Sequence, residues 1–322
     1  MPLASGPAPR VTIGLPVYNG AGLMRRAIDS ILAQTYTDIE LLISDNCSTD
    51  ETADICREYA RTDPRVVYTR TDRNLGAAGN YTRLARLARG EYFKWISHDD
   101  WMAPAFVEAC LSVAEGRPDI ITVAPVVEIV DGNGVVVQSA ASYTGRAQWS
   151  ADRLEQYREM MEELAYCETH GDGLLMIVYE YGFHRTALLR KTRLVMPFIS
   201  SDYVLAAELA LFGRLVRIPE TLSRFTLSTA ATGTTANFTT WNAAAIQRML
   251  APSRTGKLDL LLSVRRRHFE QIRAVLRSPL SPPDKLRALG AATLPARTRF
   301  GARLRARRHR AGIAASPHRT SA

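Results

Sequence analysis

Long apolar runs are what this 322-residue chain most plainly lacks. None approaches the roughly 20 residues that span a bilayer, and the start, Met1 to Gly6, has neither a basic leader nor an apolar core. A cytoplasmic protein is expected, with contact at the inner face of a membrane as the closest approach to lipid. Cysteine is scarce too. Cys47, Cys56, Cys110 and Cys167 are too few and too scattered for a disulfide framework or a Cys-x-x-Cys metal knuckle, so reduced thiols are expected. The sequons at Asn46, Asn80 and Asn237 then read as chance, and there is no internal repeat. A dinucleotide fingerprint is incomplete: Gly20-Ala21-Gly22 follows the first apolar run and Asp45 lies about twenty residues on, but Arg25 stands where a third glycine is needed.

Acids are nearly absent from the end of the chain. Residues 253–322 hold 17 Lys or Arg against Asp259, Glu270 and Asp284, a net of +14; the rest then holds 41 − 17 = 24 bases and 32 − 3 = 29 acids, a net of −5. Seven arginines fall between Arg297 and Arg310, while Pro279, Pro282, Pro283, Pro295 and Pro317 interrupt any long helix. Such a tail suits a solvated appendage or an anionic membrane surface. Phe300 is the lone aromatic among those arginines, so nucleic acid is not an expected partner. Before the tail, the low-complexity stretch Ser228 to Asn237 separates the body from a helical segment in which Leu258, Leu261, Leu262, Phe269 and Ile272 suggest one amphipathic face. The reading is therefore a body over 10–227, a loop and helical region over 228–278, and a basic tail over 279–322.

What the body does have is alternation. Runs at Val11 to Leu15, Ile39 to Ser44, Val66 to Thr69 and Tyr92 to Ile96 read as strands, each followed by a polar turn and a helix-period segment, which predicts βαβ units and a parallel sheet. The first helix is expected after Asn19, with Leu23, Ala27, Ile28, Ile31 and Leu32 on one face. Ser48 and Glu51 suggest a capping box for the second, and Gly90 a left-handed C-cap for the third. The turns at Pro16 to Asn19, Asp45 to Cys47 and Ser97 to Asp100 thus lie at the carboxyl ends of strands, the edge where open α/β sheets bind ligands. There the adjacent Asp99 and Asp100 raise each other's ionisation cost unless a cation sits between them, which points to a divalent metal.

Five ordered stretches resemble the family-2 inverting glycosyltransferases of the GT-A fold. They are Val11 to Gly20, Leu42 to Glu51, Arg73 to Gly76 with Asn80, Trp95 to Met102, and Ser201 to Glu208 leading to Gly213 and Ile218 to Glu220. The resemblance implies a GT-A α/β domain whose sheet is mostly parallel and flanked by helices. It also implies sugar transfer from a nucleotide-diphosphate donor to an acceptor hydroxyl on a saccharide, a lipid-linked saccharide or a natural product. Pro16, Val17, Tyr18 and Asn19 would shape the nucleoside pocket, Asp45 would accept from the base, and Arg73 and Asn80 would lie on the donor side. Asp99 would bind Mn²⁺ or Mg²⁺, with Ser97 and Asp100 toward the ribose or metal. Ser97 stands where the family's first metal-loop acid is usual. Asp202 would be the general base, and Glu208, roughly 240° round the same helix, would point elsewhere. Trp101, Tyr179 and Tyr181 are candidates to stack on a sugar or to pack in the core. A nucleotidyltransferase, or a catalytically silent nucleotide-sugar binder, are the competing readings.

Overall fold

The computed structural model describes residues 6–139, 148–170, 179–226 and 257–292. Among them run, in order, β1 (Val11–Val17), α1 (Met24–Leu32), β2 (Ile39–Asp45), α2 (Thr52–Thr62), β3 (Val66–Arg70), α3 (Gly76–Leu87), β4 (Tyr92–Trp95), β5 (Trp101–Met102) and α4 (Phe106–Ala114). Then follow β6 (Ile120–Val130), β7 (Val136–Ser139), α5 (Arg153–His170), β8 (Phe183–Arg185), α6 (Thr186–Leu189), α7 (Ser201–Phe212), β9 (Arg214–Thr226), α8 (Lys257–Arg277) and α9 (Pro282–Ala292). The stretch Ser228 to Asn237 and the arginine-rich end beyond residue 292 lie outside the described residues.

One curled sheet carries the fold, with strand order β3-β2-β1-β4-β8-β6-β9-β5 and β7 on the side of β6. Its first four strands are parallel, and β8 runs antiparallel to both β4 and β6. β1, β2 and β4 are buried along their whole length, as expected of strands covered on both faces. On one face α1, α2 and α4 pack through Met24, Ile28, Ile55 and Phe106. On the other α3, α5, α7, α8 and α9 pack through Leu84, Met161, Leu209, Val275 and Ala288. Register aligns the strand exits: Val17 pairs with Asp45, and Gly14 with Trp95.

Three local expectations change. α1 begins at Met24 rather than just past Asn19, leaving Leu23 48% exposed. No side-chain cap bond starts α2; Ser48 instead accepts the Asn19 backbone N–H at 3.0 Å, so the hydroxyl ties two loops together. α3 ends with Ala88 extended, and Gly90 is not left-handed. It is needed because a Cβ there would lie 2.5 Å from the Thr12 backbone nitrogen. Of the apolar face expected on α8, Leu258, Leu261 and Leu262 have side chains outside the described residues, Ile272 is half-buried and Phe269 is exposed, while Arg267, Glu270, Gln271, Ala274 and Val275 are buried. Order continues past residue 279 as α9, with prolines in its first turn, where the missing N–H is harmless.

Candidate active site

The exits of β1 and β2 form one hydrogen-bonded wall. Asn19 Oδ1 accepts the Thr49 N–H at 2.8 Å, the Gly20 N–H donates to Thr52 at 2.9 Å, and the Ala21 N–H donates to Asp50 at 3.2 Å. Non-glycine residues occupy left-handed backbone here, Asn19 at φ 51° and Cys47 at φ 66°, and again at Ser200, φ 65°, just before α7. Each such residue costs about 1–2 kcal/mol and persists only because its surroundings hold it.

The expected donor residues separate into a floor and a rim. Pro16 and Val17 are buried strand residues, while Tyr18 is 45% exposed beside Asn19. Asp45 is fully buried: Oδ1 accepts the Ser48 N–H at 2.8 Å, and Oδ2 accepts the Tyr68 hydroxyl at 2.9 Å with Arg70 Nε at 3.6 Å. Asn80 is a fastener rather than an open group, accepting from the Ser44 hydroxyl at 2.5 Å and donating to the Ser44 carbonyl at 2.8 Å. Arg73 is exposed, and no partner of its guanidinium occurs among the described residues.

At the exit of β4, three hydroxyls close a triangle: Ser97 with Tyr81 at 2.8 Å, Ser97 with Tyr181 at 3.0 Å, and Tyr81 with Tyr181 at 2.6 Å. Burial raises both tyrosines above the ordinary phenol value. His98 lies against the first loop; a Cβ on Gly20 would meet its ring at 2.6 Å. The Asp99 backbone carbonyl accepts from Arg26 at 3.0 Å and from the Thr226 hydroxyl at 2.6 Å, which anchors the acid pair to the end of β9. Asp100 is 3% exposed. Its Oδ1 accepts the Thr226 N–H at 3.0 Å, and its Oδ2 is buried with no hydrogen-bond partner among the described residues. Burial, and after it the charge of Asp99, raises the Asp100 carboxyl well above the ordinary carboxylate value. A divalent cation fits these residues, because it would give the orphaned oxygen a partner and neutralise the pair. No cluster of three or more metal-type side chains occurs among the described residues, so a cation held here would take its remaining ligands from substrate phosphates and water.

Beneath the pair lies Lys94, 2% exposed, donating to the Tyr181 carbonyl at 2.6 Å with its ammonium 4.3 Å from the Phe106 ring centroid. Burial pulls its pKa down to about 8, against the weaker opposing charges of Cys110 and Asp100. Asp202 sits half-buried in the first turn of α7. Burial raises its carboxyl, while the Tyr203 N–H and the Arg267 guanidinium pull it back. Glu180, which precedes β8, is pushed up to about 8 by burial and then by the charge of Asp202, and its own charge is felt by Tyr81 and Tyr181. The charge of Glu180 is thus coupled both to Asp202 and to the tyrosines that hold Ser97.

Glu208 is fully buried on another side of α7, accepting the Arg193 N–H at 2.6 Å and lying 3.3 Å from Arg277. Of the aromatic candidates, Tyr179 is in the core and accepts from the Trp149 indole at 2.5 Å. Trp101 stacks under Arg224, with the guanidinium 5.2 Å from its ring centroid. Trp101 directly follows Asp100 in the chain, and Tyr181 reaches the acid loop through its bond to Ser97. Lys94, Glu180, Tyr81 and Arg267 had no assigned role in the sequence reading; a lysine inside an otherwise apolar strand was the one visible signal.

Comparison with known proteins bears on the family and the fold. An uncharacterized glycosyltransferase of Rickettsia typhi, RT0329, is 41% identical over 106 residues, 33% of this chain and 32% of that protein. Chondroitin synthase of Escherichia coli is 38% identical over 113 residues, 35% of this chain and 16% of that protein. The matches thus span a third or less of the length of these relatives. Among solved structures, residues 1–349 of Staphylococcus aureus TarS share the fold at TM-score 0.58 and 15% identity, over 89% of this chain and 71% of that one. Mannosyltransferase PcManGT from Pyrobaculum calidifontis, solved with GDP-Man and Mn²⁺, does so at TM-score 0.56 and 17% identity, over 98% and 80%. The sheet order and flanking helices are those of the GT-A fold. The family profile of glycosyl transferase family 2 matches residues 12–179, just over half of the sequence, and the chain belongs to that family.

Proposed function

We propose that this protein moves a sugar from a nucleotide-diphosphate donor to an acceptor hydroxyl by a single, inverting displacement that uses Mn²⁺ or Mg²⁺. The observation that carries the reading is the buried Oδ2 of Asp100, which has no hydrogen-bond partner among the described residues, beside Asp99 at the exit of β4. Asp99, with Asp100, would hold the cation, which when bound would neutralise charge building on the leaving diphosphate. The β1 and β2 exits would enclose the nucleoside, and exposed Arg73 would pair with phosphate oxygens. Asp202 would take the proton from the acceptor hydroxyl as that oxygen bonds to the anomeric carbon and the bond to the diphosphate breaks. Solved complexes of TarS with UDP and UDP-GlcNAc, and of PcManGT with GDP-Man and Mn²⁺, support a donor of this class.

The test is a thermal-shift screen of UDP, GDP and dTDP with and without Mn²⁺. A ligand at 100 times its Kd adds about 2.7 kcal/mol. Asp99→Asn is expected to abolish the Mn²⁺-dependent part, and equal shifts with and without metal would refute the assignment. Asp202→Asn keeps the shape and is expected to bind nucleotide normally while losing about two to four decades of turnover. Nucleotide binding with no transfer of any sugar by the wild type would favour the silent-binder reading. Contact of the basic end with anionic membranes, at the inner face, is a separate proposal, checked by vesicle co-sedimentation of full-length and tail-truncated chains.

A further inference from the structure

The segment beyond the sheet is docked through charge. Arg193 pairs with Glu270, Arg273 lies 3.6 Å from Glu270, and Arg277 lies 3.3 Å from buried Glu208. At the other end of the contact two consecutive arginines of α8 seat on rings that flank Asp202 in sequence: Arg266 on Phe198, 4.9 Å from its centroid, and Arg267 on Tyr203, 5.0 Å from its centroid. Arg267 is 2% exposed. A guanidinium so withdrawn from water carries a large desolvation penalty unless negative charge or an aromatic face meets it. Tyr203 supplies the face, and Asp202, its chain neighbour, brings the nearby negative charge.

We propose that Arg267 is a positioning residue for Asp202: the C-terminal helix completes the active site by seating a cation on Tyr203, where its field supports and aims the carboxylate. The inference rests on Asp202 being the base. Among the described residues, the charged groups that bear on Asp202 are Glu180, from the turn before β8, and Arg267 from α8. α5 meets α7 through the apolar cluster and through Gln156, which donates to the Ala210 carbonyl at 2.9 Å, away from residue 202. The two neighbours oppose each other. Burial raises the Asp202 carboxyl, the Tyr203 N–H pulls it back first and Arg267 adds to that, while the charge of Asp202 pushes Glu180 up.

The experiment uses the full-length chain with ¹³C-labelled aspartate, the Asp202 signal being identified as the one missing in Asp202→Asn. In Arg267→Gln the Asp202 carboxyl is expected to titrate higher than in the wild type, because a positive charge that favours the carboxylate has been removed. Arg267→Lys is expected to restore the wild-type midpoint, and both variants should bind UDP with Mn²⁺ as the wild type does. A wild-type midpoint in Arg267→Gln overturns the proposal. Should that variant fail to fold, Tyr203→Leu removes the seat instead: an upward shift supports the role and an unchanged midpoint overturns it. Nucleotide release from UDP-GlcNAc and GDP-Man by Asp202→Asn separates the two layers. Full turnover there removes the base assignment itself, whereas lost turnover with an unchanged midpoint in Arg267→Gln removes only the role of Arg267.

Discussion

Replacing Lys94 by Met should reverse a pH-dependent penalty built into the floor of the acid loop. Lys94 is buried, with the Tyr181 carbonyl at 2.6 Å as its one oxygen partner among the described residues, and its pKa falls from 10.5 to about 8. At about 1.4 kcal/mol for each pH unit, the folded state carries a penalty of about 3 kcal/mol for holding the proton. The sign follows from proton binding. At pH 7 both states are protonated and the penalty is complete. Between about 8 and 10.5 the folded protein releases its proton while the unfolded chain keeps it, so stability rises with pH; above 10.5 the penalty is gone. Urea unfolding of wild type and Lys94→Met at pH 7 and near pH 10.5 reads this directly. The tyrosines and cysteines common to both proteins cancel in the difference. Wild type is expected to gain about 2–3 kcal/mol on the variant over that interval. A difference that stays flat within about 1 kcal/mol would refute the reasoning, since it would mean that water reaches Lys94 in the folded state.

Three further outcomes are expected. Gly90→Ala forces a Cβ to within 2.5 Å of the Thr12 backbone and should cost about 1–3 kcal/mol, read from the urea midpoint at unchanged m-value. Glu208→Ala strands the Arg193 N–H and removes the carboxylate partner of Arg277, whose half-exposed guanidinium can turn to water, so it should destabilise by about 1–3 kcal/mol, read from the urea midpoint. Tyr181→Phe breaks the hydroxyl triangle at its joint with Ser97 and Tyr81, and calorimetry should show a loss of about 1–3 kcal/mol.

The strands and their exits were legible because continuous apolar runs and the residues that end them are local properties of the chain. Asp99, Asp100 and the Asn19 turn could be placed at one sheet edge from order alone, since parallel strands point their carboxyl ends the same way. What was illegible is partnership across distance. Ser48 reads as a helix cap because Glu51 is three residues away, but it takes the Asn19 N–H 29 positions back, which only the pairing of β1 with β2 brings near. Gly90 reads as a helix terminator, and its reason is the backbone of β1. Glu180 and Arg267 belong to segments with no motif, and their relation to Asp202 exists only once β8 lies beside β4 and α8 lies on α7. The burial of Arg267 and Glu270 on α8 was missed for the same reason: hydrophobic periodicity does not record charged side chains that pack against other elements.

The left-handed residues Asn19, Cys47 and Ser200 bear on portability. Left alone, each of these segments would relax to ordinary backbone, because the conformation is unfavourable for a residue with a side chain. Asn19 is kept in place by Ser48 and Thr49, which belong to a different loop, and they in turn depend on the register of β1 against β2. A loop copied onto another scaffold, or synthesised as a peptide, would keep its sequence and lose its shape. If the β1 and β2 exits enclose the donor nucleoside as proposed, exchanging donor preference in this protein would require moving both strand exits together, with the side chains that tie one to the other.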